Sequence, residues 1–177
     1  MPLLAYEQSF LIDSPSINPM SVFDSLAAWL ESTHVAQVVG TSMWVVASLS
    51  AVHVVGYALV MGGALVGNLR LLGMIVPSVP VMDVVRPASR GIAWGLVISI
   101  VTGVLLVSWK AVAAIGNDIF RIKMLLLLLA ALLHFAWQAR VARNSGIDGA
   151  ALKIAGAVGL LLWLGLAVAA AAYILFE

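Results

Sequence analysis

The sequence MWVVASLSAVHVVG, residues 43–56, is apolar enough to lie in a lipid bilayer, yet it carries one histidine, His53. The stretch continues without a charged residue as far as Arg70. Small residues recur around the histidine at helical spacing, namely Ser50, Gly56, Gly63 and Gly67. An ionisable side chain at membrane depth is a functional candidate, because its burial is costly unless it has a partner. The sequence therefore raises the question of what partners His53.

The composition of the chain is that of an integral membrane protein. Of its 177 residues, 63% are hydrophobic and 10% charged, whereas a soluble domain is about a quarter charged. The net charge of +1 suggests no nucleic-acid partner. Cysteine is absent, which excludes disulfides, thiolate metal sites and covalently attached c-type haem. The first twenty residues lack Lys and Arg and do not resemble a cleaved secretory signal.

The apolar runs predict an all-α fold, a polytopic four-helix bundle in the membrane. Residues 41–177 are predicted to form this bundle, with spans at about 41–68, 91–110, 120–138 and 155–175. Residues 1–40 are predicted to form a periplasmic arm and a short amphipathic helix at the membrane interface. Ser21 is the candidate N-cap of that helix, and Pro87 a candidate helix-starting residue for the second span.

Basic residues are distributed unequally between the predicted loops. The first loop holds Arg70, Arg86 and Arg90, the third holds Arg140, Arg143 and Lys153, and the second holds Lys110, Arg121 and Lys123. Because cytoplasmic loops carry the excess of Lys and Arg, six against three places both termini in the periplasm. The predicted location is a bacterial inner membrane.

Two histidines are predicted at matched depth on different spans. His53 follows Thr41, and His134 follows Lys123, by a little over three helical turns in each case. At 1.5 Å per residue both are about 16–18 Å from the outer end. Two imidazoles on facing helices are what axial ligation of a b-type haem requires. We therefore expect His53 and His134 to be the ligands of one haem iron.

Counting from the opposite ends of these spans agrees less well. Arg70 follows His53 by nearly five helical turns, whereas Arg140 follows His134 by fewer than two. Gly56, one turn from His53, would leave room for the macrocycle, and Arg70 is a candidate partner for the haem propionates. Three alternatives stay open: the histidines hydrogen-bond to neighbouring helices, they bind a metal ion or transfer protons, and the glycines serve helix packing.

The third histidine, His34, lies between the predicted surface helix and the first span. It is a candidate ligand for a second, outer haem, or for a copper or zinc ion with Met43 as a soft partner. The alternative is an interfacial polar residue without a ligand. No Asp or Glu falls within a predicted span, and no catalytic triad, zinc-protease motif or phosphate loop is present. An electron-transfer subunit is therefore favoured over a self-sufficient enzyme.

Parts of the first three spans resemble a known group of proteins. The segments are HVVG at 53–56, GNLRLLG at 67–73 and FRIKMLL at 120–126. They resemble small bacterial four-helix membrane proteins of unknown function, distantly similar to copper-resistance D-type membrane domains and four-helix b-type cytochromes. Asn68 stands where that group is expected to have an acidic residue. The resemblance covers about residues 42–138 and implies that His53 and His134 occupy haem-ligand-like positions.

These observations lead to one functional hypothesis and two alternatives. The chain is predicted to be a b-type cytochrome or haem-bearing anchor subunit with haem b. It would pass electrons between the quinone pool and a periplasmic redox partner. The alternatives are a copper-handling membrane protein and a cofactor-free structural subunit of a larger membrane complex.

Overall fold

The computed structural model describes residues 19–138, 140, 143 and 149–176, and all regular structure within them is helical. The α-helices are α1 (Pro19–Glu31), α2 (His34–Thr41), α3 (Met43–Leu71), α4 (Val81–Ser108), α5 (Ala111–Gly116), α6 (Asp118–Leu132) and α7 (Gly149–Phe176). Helix α6 runs directly into a π-helical segment, Leu133–Gln138. The all-α prediction is confirmed, while the part of the predicted arm before Pro19, together with Glu177, lies outside the described residues.

Four of the described helices are long and apolar enough to cross a membrane. They cover Met43–Leu71, Val81–Ser108, Asp118–Gln138 and Gly149–Leu175. Large apolar side chains on their outward faces are exposed, among them Val55, Leu125 and Leu161. Such surfaces need a hydrocarbon environment. The predicted four-helix, multi-pass membrane protein is therefore confirmed.

The bundle is assembled around α3. Helices α3 and α4 make the most extensive contact, and α7 packs against both α3 and α6. The buried apolar core where the helices meet contains Val60, Ala64, Ile92, Leu96, Ala130, Trp163 and Leu166. Trp163, from the middle of α7, is the largest of the fully buried side chains.

Helix α4 begins earlier than the sequence suggested. It begins at Val81, so Arg86 and Arg90 are helical and Pro87 lies inside the helix. The prediction that Pro87 starts a helix is therefore wrong. The proline only removes one backbone hydrogen bond near the helix end, and arginines in the first turns can extend towards the interface. Ser21 likewise lies within α1 and is not its N-cap.

Helix α3 ends in a glycine-dependent cap. Gly73 has φ +77°, a left-handed conformation that glycine adopts without steric strain. Its N–H donates to the carbonyl of Arg70 at 3.0 Å, and the N–H of Met74 donates to that of Leu69 at 2.9 Å. This is the Schellman pattern. It turns the chain into the loop 72–80, which marks one end of the bundle, called here the 72–80 end.

The opposite end is covered by the short helices and is called here the α5 end. Helix α1 packs against α5, and α2 packs against α3 and α4. The Glu31 carboxylate accepts a hydrogen bond from the Val112 N–H at 2.8 Å, which satisfies a free donor in the first turn of α5. Lys110 lies 5.3 Å from the Trp109 ring centroid, within cation–π range.

Candidate functional site

Five polar groups meet inside the bundle towards the 72–80 end. His134 Nδ1 lies 2.7 Å from Gln138 Oε1, and His134 Nε2 lies 3.0 Å from Ser89 Oγ. Gln138 Nε2 donates to Asn68 Oδ1 and, at 2.9 Å, to the Ala155 carbonyl. Because these residues come from α4, the π-helical segment, α3 and α7, this four-helix network links all four membrane-crossing segments.

The partners fix the direction of each hydrogen bond in the four-helix network. Gln138 Nε2 faces two acceptors, so its Oε1 is the acceptor for His134 Nδ1–H. A neutral His134 then accepts the Ser89 hydroxyl proton at Nε2. Asn68 uses its Nδ2 to donate to the Ala64 carbonyl at 2.6 Å. Both nitrogens of His134 are therefore engaged.

Burial makes these bonds structurally important. The exposed fractions of Asn68, His134 and Gln138 are 1%, 3% and 1%. Inside a membrane an unmatched polar group costs several kcal/mol, so each group of this network depends on its partners. A Cβ added at Gly159 would overlap Gln138 Nε2 and Asn68 Oδ1. The bare backbone of α7 at Gly159 is what leaves space for the amides.

The π-helical segment that follows α6 contributes two buried polar residues to the network. His134 and Gln138 are buried, while Phe135 and Trp137 on the same segment are exposed. A π-helical turn is wider than an α-helical turn and is found often at functional sites. Here it carries two side chains four residues apart that meet each other and partners on other helices.

A second polar group surrounds His53, nearer the α5 end. His53 Nδ1 lies 2.9 Å from Thr102 Oγ1. The Thr102 hydroxyl donates to the Ile98 carbonyl at 2.7 Å, so its oxygen accepts the proton of His53 Nδ1. The neutral ring therefore carries its proton on Nδ1, and Nε2 keeps its lone pair. Lys123 of α6 acts on His53 electrostatically.

The structure does not bring His53 and His134 together. They contact α4 at Thr102 and Ser89, which are thirteen residues apart and therefore about 20 Å apart along the helix axis. The predicted equal depth is wrong. That prediction counts the depth of His134 from Lys123, whereas α6 begins at Asp118. Ligation of one iron by both rings does not fit this geometry.

The space beside Gly56 is filled by a helix. A Cβ on Gly56 would lie 2.7 Å from Ser99 Oγ and 3.0 Å from the Gly95 carbonyl. A Cβ on Gly95 would in turn lie 2.6 Å from the Gly56 carbonyl. These two glycines let α3 and α4 approach closely, as small residues do in membranes. Of the two interpretations of Gly56, helix packing is the one that the geometry supports.

Arg70 holds the loop between α3 and α4. Its Nη2 donates to the Val79 carbonyl and, at 3.4 Å, to that of Pro77. Only 8% of Arg70 is exposed, and its Nε has no hydrogen-bond partner among the described residues. The guanidinium is thus committed mainly to backbone carbonyls, which gives it a role in the turn and leaves its predicted role at haem propionates untested.

His34 lies apart from both polar groups. It is the first residue of α2 and is exposed, and Met43 is 84% exposed at the start of α3. Glu31, three residues before His34, is bonded to the backbone of α5. The part of the chain that the structure describes contains no cluster of three metal-ligating His, Cys, Asp or Glu residues.

Sequence reasoning missed most of the four-helix network. The sequence alone did not indicate Ser89, Gln138 or Gly159 as site residues, and it pointed to Asn68 only through the family resemblance. A signal was present, because Asn68 and Gln138 are amide side chains inside or at the edge of apolar spans, where polar residues join helices. Gln138 also follows His134 by four residues, the spacing of side chains on one helical face.

Comparisons with known proteins complete this description. Neither the curated proteins nor the solved structures gave a match, so the distant similarity to copper-resistance D-type domains and b-type cytochromes stays a prediction. The expected membership of a four-helix membrane family without a known function is confirmed. Residues 26–177 match the model of DUF6644, a family of unknown function, and the chain belongs to that family.

Proposed function

We propose that this protein is a haem-bearing membrane subunit for electron transfer, with His53 as its haem ligand. The observation that supports the proposal is the hydrogen bond from His53 Nδ1 to Thr102. Histidines that bind metals usually donate their other ring N–H to a fixed acceptor, which sets the tautomer and orients the ring. His53 meets this condition, and Nε2 keeps the lone pair that would hold the iron. His134 is left out, because both of its nitrogens are hydrogen-bonded.

The residues around His53 have separate tasks in this proposal. Thr102 holds the proton on Nδ1 and orients the ring, and Lys123 supplies a positive charge for the anionic groups of the cofactor. A bound haem b would supply one-electron chemistry. Because one histidine is assigned, any further ligand of a bound haem would come from a partner subunit or from a small molecule. The proposed electron donor and acceptor remain the quinone pool and a periplasmic protein.

The visible spectrum of the purified protein, produced with a haem supply, tests the proposal. We expect a b-type band after reduction with dithionite, and a shift of this band on addition of carbon monoxide. His53→Gly should lose the band, and added imidazole should restore it. His134→Gln is the matched control, because glutamine can still donate to Gln138 and accept from Ser89, and it should keep the band. A colourless wild-type protein, or a band that persists in His53→Gly, would refute the proposal.

Thr102→Val provides a finer test, because valine keeps the shape of threonine but cannot accept the Nδ1 proton. Loss of such a second partner typically costs 10–100-fold in metal affinity or activity. We therefore expect haem affinity to fall by about 10–100-fold while the helix content is unchanged. Equal haem affinity in Thr102→Val and the wild type would contradict the role assigned to Thr102.

A cofactor-free structural subunit of a larger membrane complex is the second candidate. It is favoured by the four-helix network and by the close contact of Gly56 with Gly95, since both use potential site residues for helix packing. A colourless, metal-free protein that co-purifies with other subunits would support this candidate. A colourless protein with stoichiometric copper bound through His53 would instead support copper handling.

The proposed setting is a bacterial inner membrane with both termini in the periplasm. Six basic residues belong to the segments at the 72–80 end and the connection between α6 and α7, against three between α4 and the start of α6. The positive-inside rule then places the 72–80 end in the cytoplasm. The α5 end, with His53 nearer to it, would face the periplasmic partner.

A further inference from the structure

A glycine of α4 lies directly beside the His53 ring. Gly103 follows Thr102, whose Oγ1 lies 2.9 Å from His53 Nδ1. A Cβ added at Gly103 would lie 3.2 Å from His53 Cε1 and 3.6 Å from His53 Nδ1. Two consecutive residues of α4 therefore border neighbouring atoms of one ring, the first through a hydrogen bond and the second through a bare backbone.

The ring is what a methyl group at this position would meet. Among the residues that the structure describes, no other atom outside α4 lies within 4 Å of the Gly103 Cβ position. By contrast, a Cβ at Gly56 would meet the Gly95 carbonyl, and a Cβ at Gly95 would meet the Gly56 carbonyl. Those two glycines serve the backbone contact of α3 with α4. The close approach at Gly103 is made to a side chain, and that side chain is His53.

This approach sets the direction of the other ring nitrogen. Nδ1 and Cε1 are adjacent atoms, so one edge of the imidazole faces α4. Nε2 is bonded to Cε1 on the side remote from Nδ1, so its lone pair points away from Thr102. A ring held against α4 at this edge keeps one orientation, because turning the ring would break the bond to Thr102.

We propose that Gly103 is a positioning residue for His53. Its bare backbone lets the ring lie close enough to α4 for Thr102 to hold the proton on Nδ1, which leaves Nε2 as the nitrogen presented to a ligand. The identity of that ligand as haem iron rests on the proposed function, whereas the position and the tautomer of the ring do not.

A methyl group at residue 103 would disturb this arrangement in a defined way. At 3.2 Å the contact is tighter than most Cβ contacts in proteins, so the ring would have to withdraw by a few tenths of an ångström. The distance from Nδ1 to Thr102 Oγ1 would then grow from 2.9 Å towards the usual limit of about 3.2 Å for such a bond. With the bond weakened, the proton is no longer confined to Nδ1.

The tautomer of His53 tests the proposal without any haem. Nuclear magnetic resonance of the full-length protein in detergent, labelled with isotopically enriched histidine, distinguishes Nδ1–H from Nε2–H in alkaline solution, where an ordinary histidine is neutral. Among the three histidines, His53 is identified by the signals that are lost in His53→Gly. The wild type should show only the Nδ1–H form at His53, and Gly103→Ala should show a mixture of the two forms.

Gly91→Ala is the matched control on the same helix, because its added Cβ would meet no atom within 4 Å. It should keep the wild-type tautomer of His53. His134 has partners elsewhere, and its signals should be the same in every variant. Alanine is a better helix former than glycine, so the helix content should be retained in both variants. Unfolding of Gly103→Ala, or a pure Nδ1–H form of His53 in this variant, would overturn the proposal.

Haem affinity supplies a second measurement. Loss of an orienting partner typically costs 10–100-fold in metal affinity, so Gly103→Ala should bind haem about 10–100-fold more weakly than Gly91→Ala. In His53→Gly supplied with imidazole, the free ring can adjust its position, so adding Gly103→Ala should change haem binding little. An equal loss with the tethered and the free ring, or no loss in a protein that binds haem through His53, would contradict the role of Gly103. A wild type that binds no haem would refute the proposed function alone, and the tautomer would still decide the role of Gly103.

Discussion

Replacing Gly159 by alanine should destabilise the bundle, although alanine is the better helix former. The added methyl group would overlap Gln138 Nε2 and Asn68 Oδ1. Forcing one carbon into a packed interior costs about 1–3 kcal/mol. Displacing Gln138 also breaks its bonds to Asn68 and to the Ala155 carbonyl, at about 0.6 kcal/mol each in a membrane protein. The gain in helix propensity returns about 1 kcal/mol, so the net loss should be about 1–3 kcal/mol.

Gly165→Ala is the matched control on the same helix. A Cβ at Gly165 would lie 3.9 Å from Leu126 Cδ1, an ordinary van der Waals contact. This variant should be as stable as the wild type or slightly more stable, because it gains helix propensity without a clash. The comparison of the two variants isolates the overlap with the amides from the general effect of alanine in α7.

Equilibrium unfolding by sodium dodecyl sulfate in mixed micelles measures the difference. The helical ellipticity reports the transition, together with the summed tryptophan fluorescence, to which the buried Trp163 contributes. A second comparison uses Gln138→Ala as background, where Gly159→Ala should cost less because one of the two overlapping side chains is gone. If Gly159→Ala and Gly165→Ala unfold at the same detergent fraction, Gln138 and Asn68 do not meet beside Gly159 and the four-helix network is refuted.

Three further predictions concern other parts of the fold. Gly95→Ala should destabilise the protein by about 1–3 kcal/mol in the same assay, because its Cβ would clash with the α3 backbone. Gly91→Ala is the control and should not destabilise it, because its Cβ would meet no atom within 4 Å. Equal stability of the two variants would contradict the packing of α3 on α4. Glu31→Ala should speed amide hydrogen exchange at Val112, with a loss of about 0.5–2 kcal/mol from the missing cap, and unchanged exchange would refute the contact. Since the chain has no cysteine, the single-cysteine variants Ser78→Cys and Val112→Cys report the topology. An impermeant maleimide should label Val112→Cys in intact cells and Ser78→Cys only after lysis. The reverse labelling would contradict the proposed orientation.

The helices could be predicted from the sequence because their cause is local. Apolar runs of about 20 residues must be helical in lipid to satisfy their backbone hydrogen bonds. The helix ends were less predictable. The sequence predicts a loop at Arg86 and Arg90, but charged residues in the first turns of a membrane helix can reach the interface with their long side chains, so charge does not mark where α4 begins.

The candidate site could be predicted only in part, because it depends on contacts between helices. The sequence identified His53 and His134 as unusual, and both are polar residues with partners on another helix. Their pairing failed because relative depth depends on where each helix begins, and Lys123 lies five residues inside α6. The spacing of His134 and Gln138 is visible in the sequence, but the contacts of these side chains with Ser89 and Asn68 depend on how the helices pack, which no periodicity in the sequence indicates.

The two intramembrane histidines differ in what their hydrogen bonds leave available. His134 uses both nitrogens, so its removal leaves Gln138 Oε1 and the Ser89 hydroxyl without the hydrogen bonds they make to it in an apolar interior, where such losses are costly. His53 donates from Nδ1 to Thr102, which also has a bond within its own helix. About 20 Å of α4 separates the two positions, well beyond the distance at which substitutions usually couple. If the proposed function holds, a substitution at His53 would therefore change haem binding without altering the four-helix network, which is the separation of tasks that a cofactor-bearing membrane subunit needs.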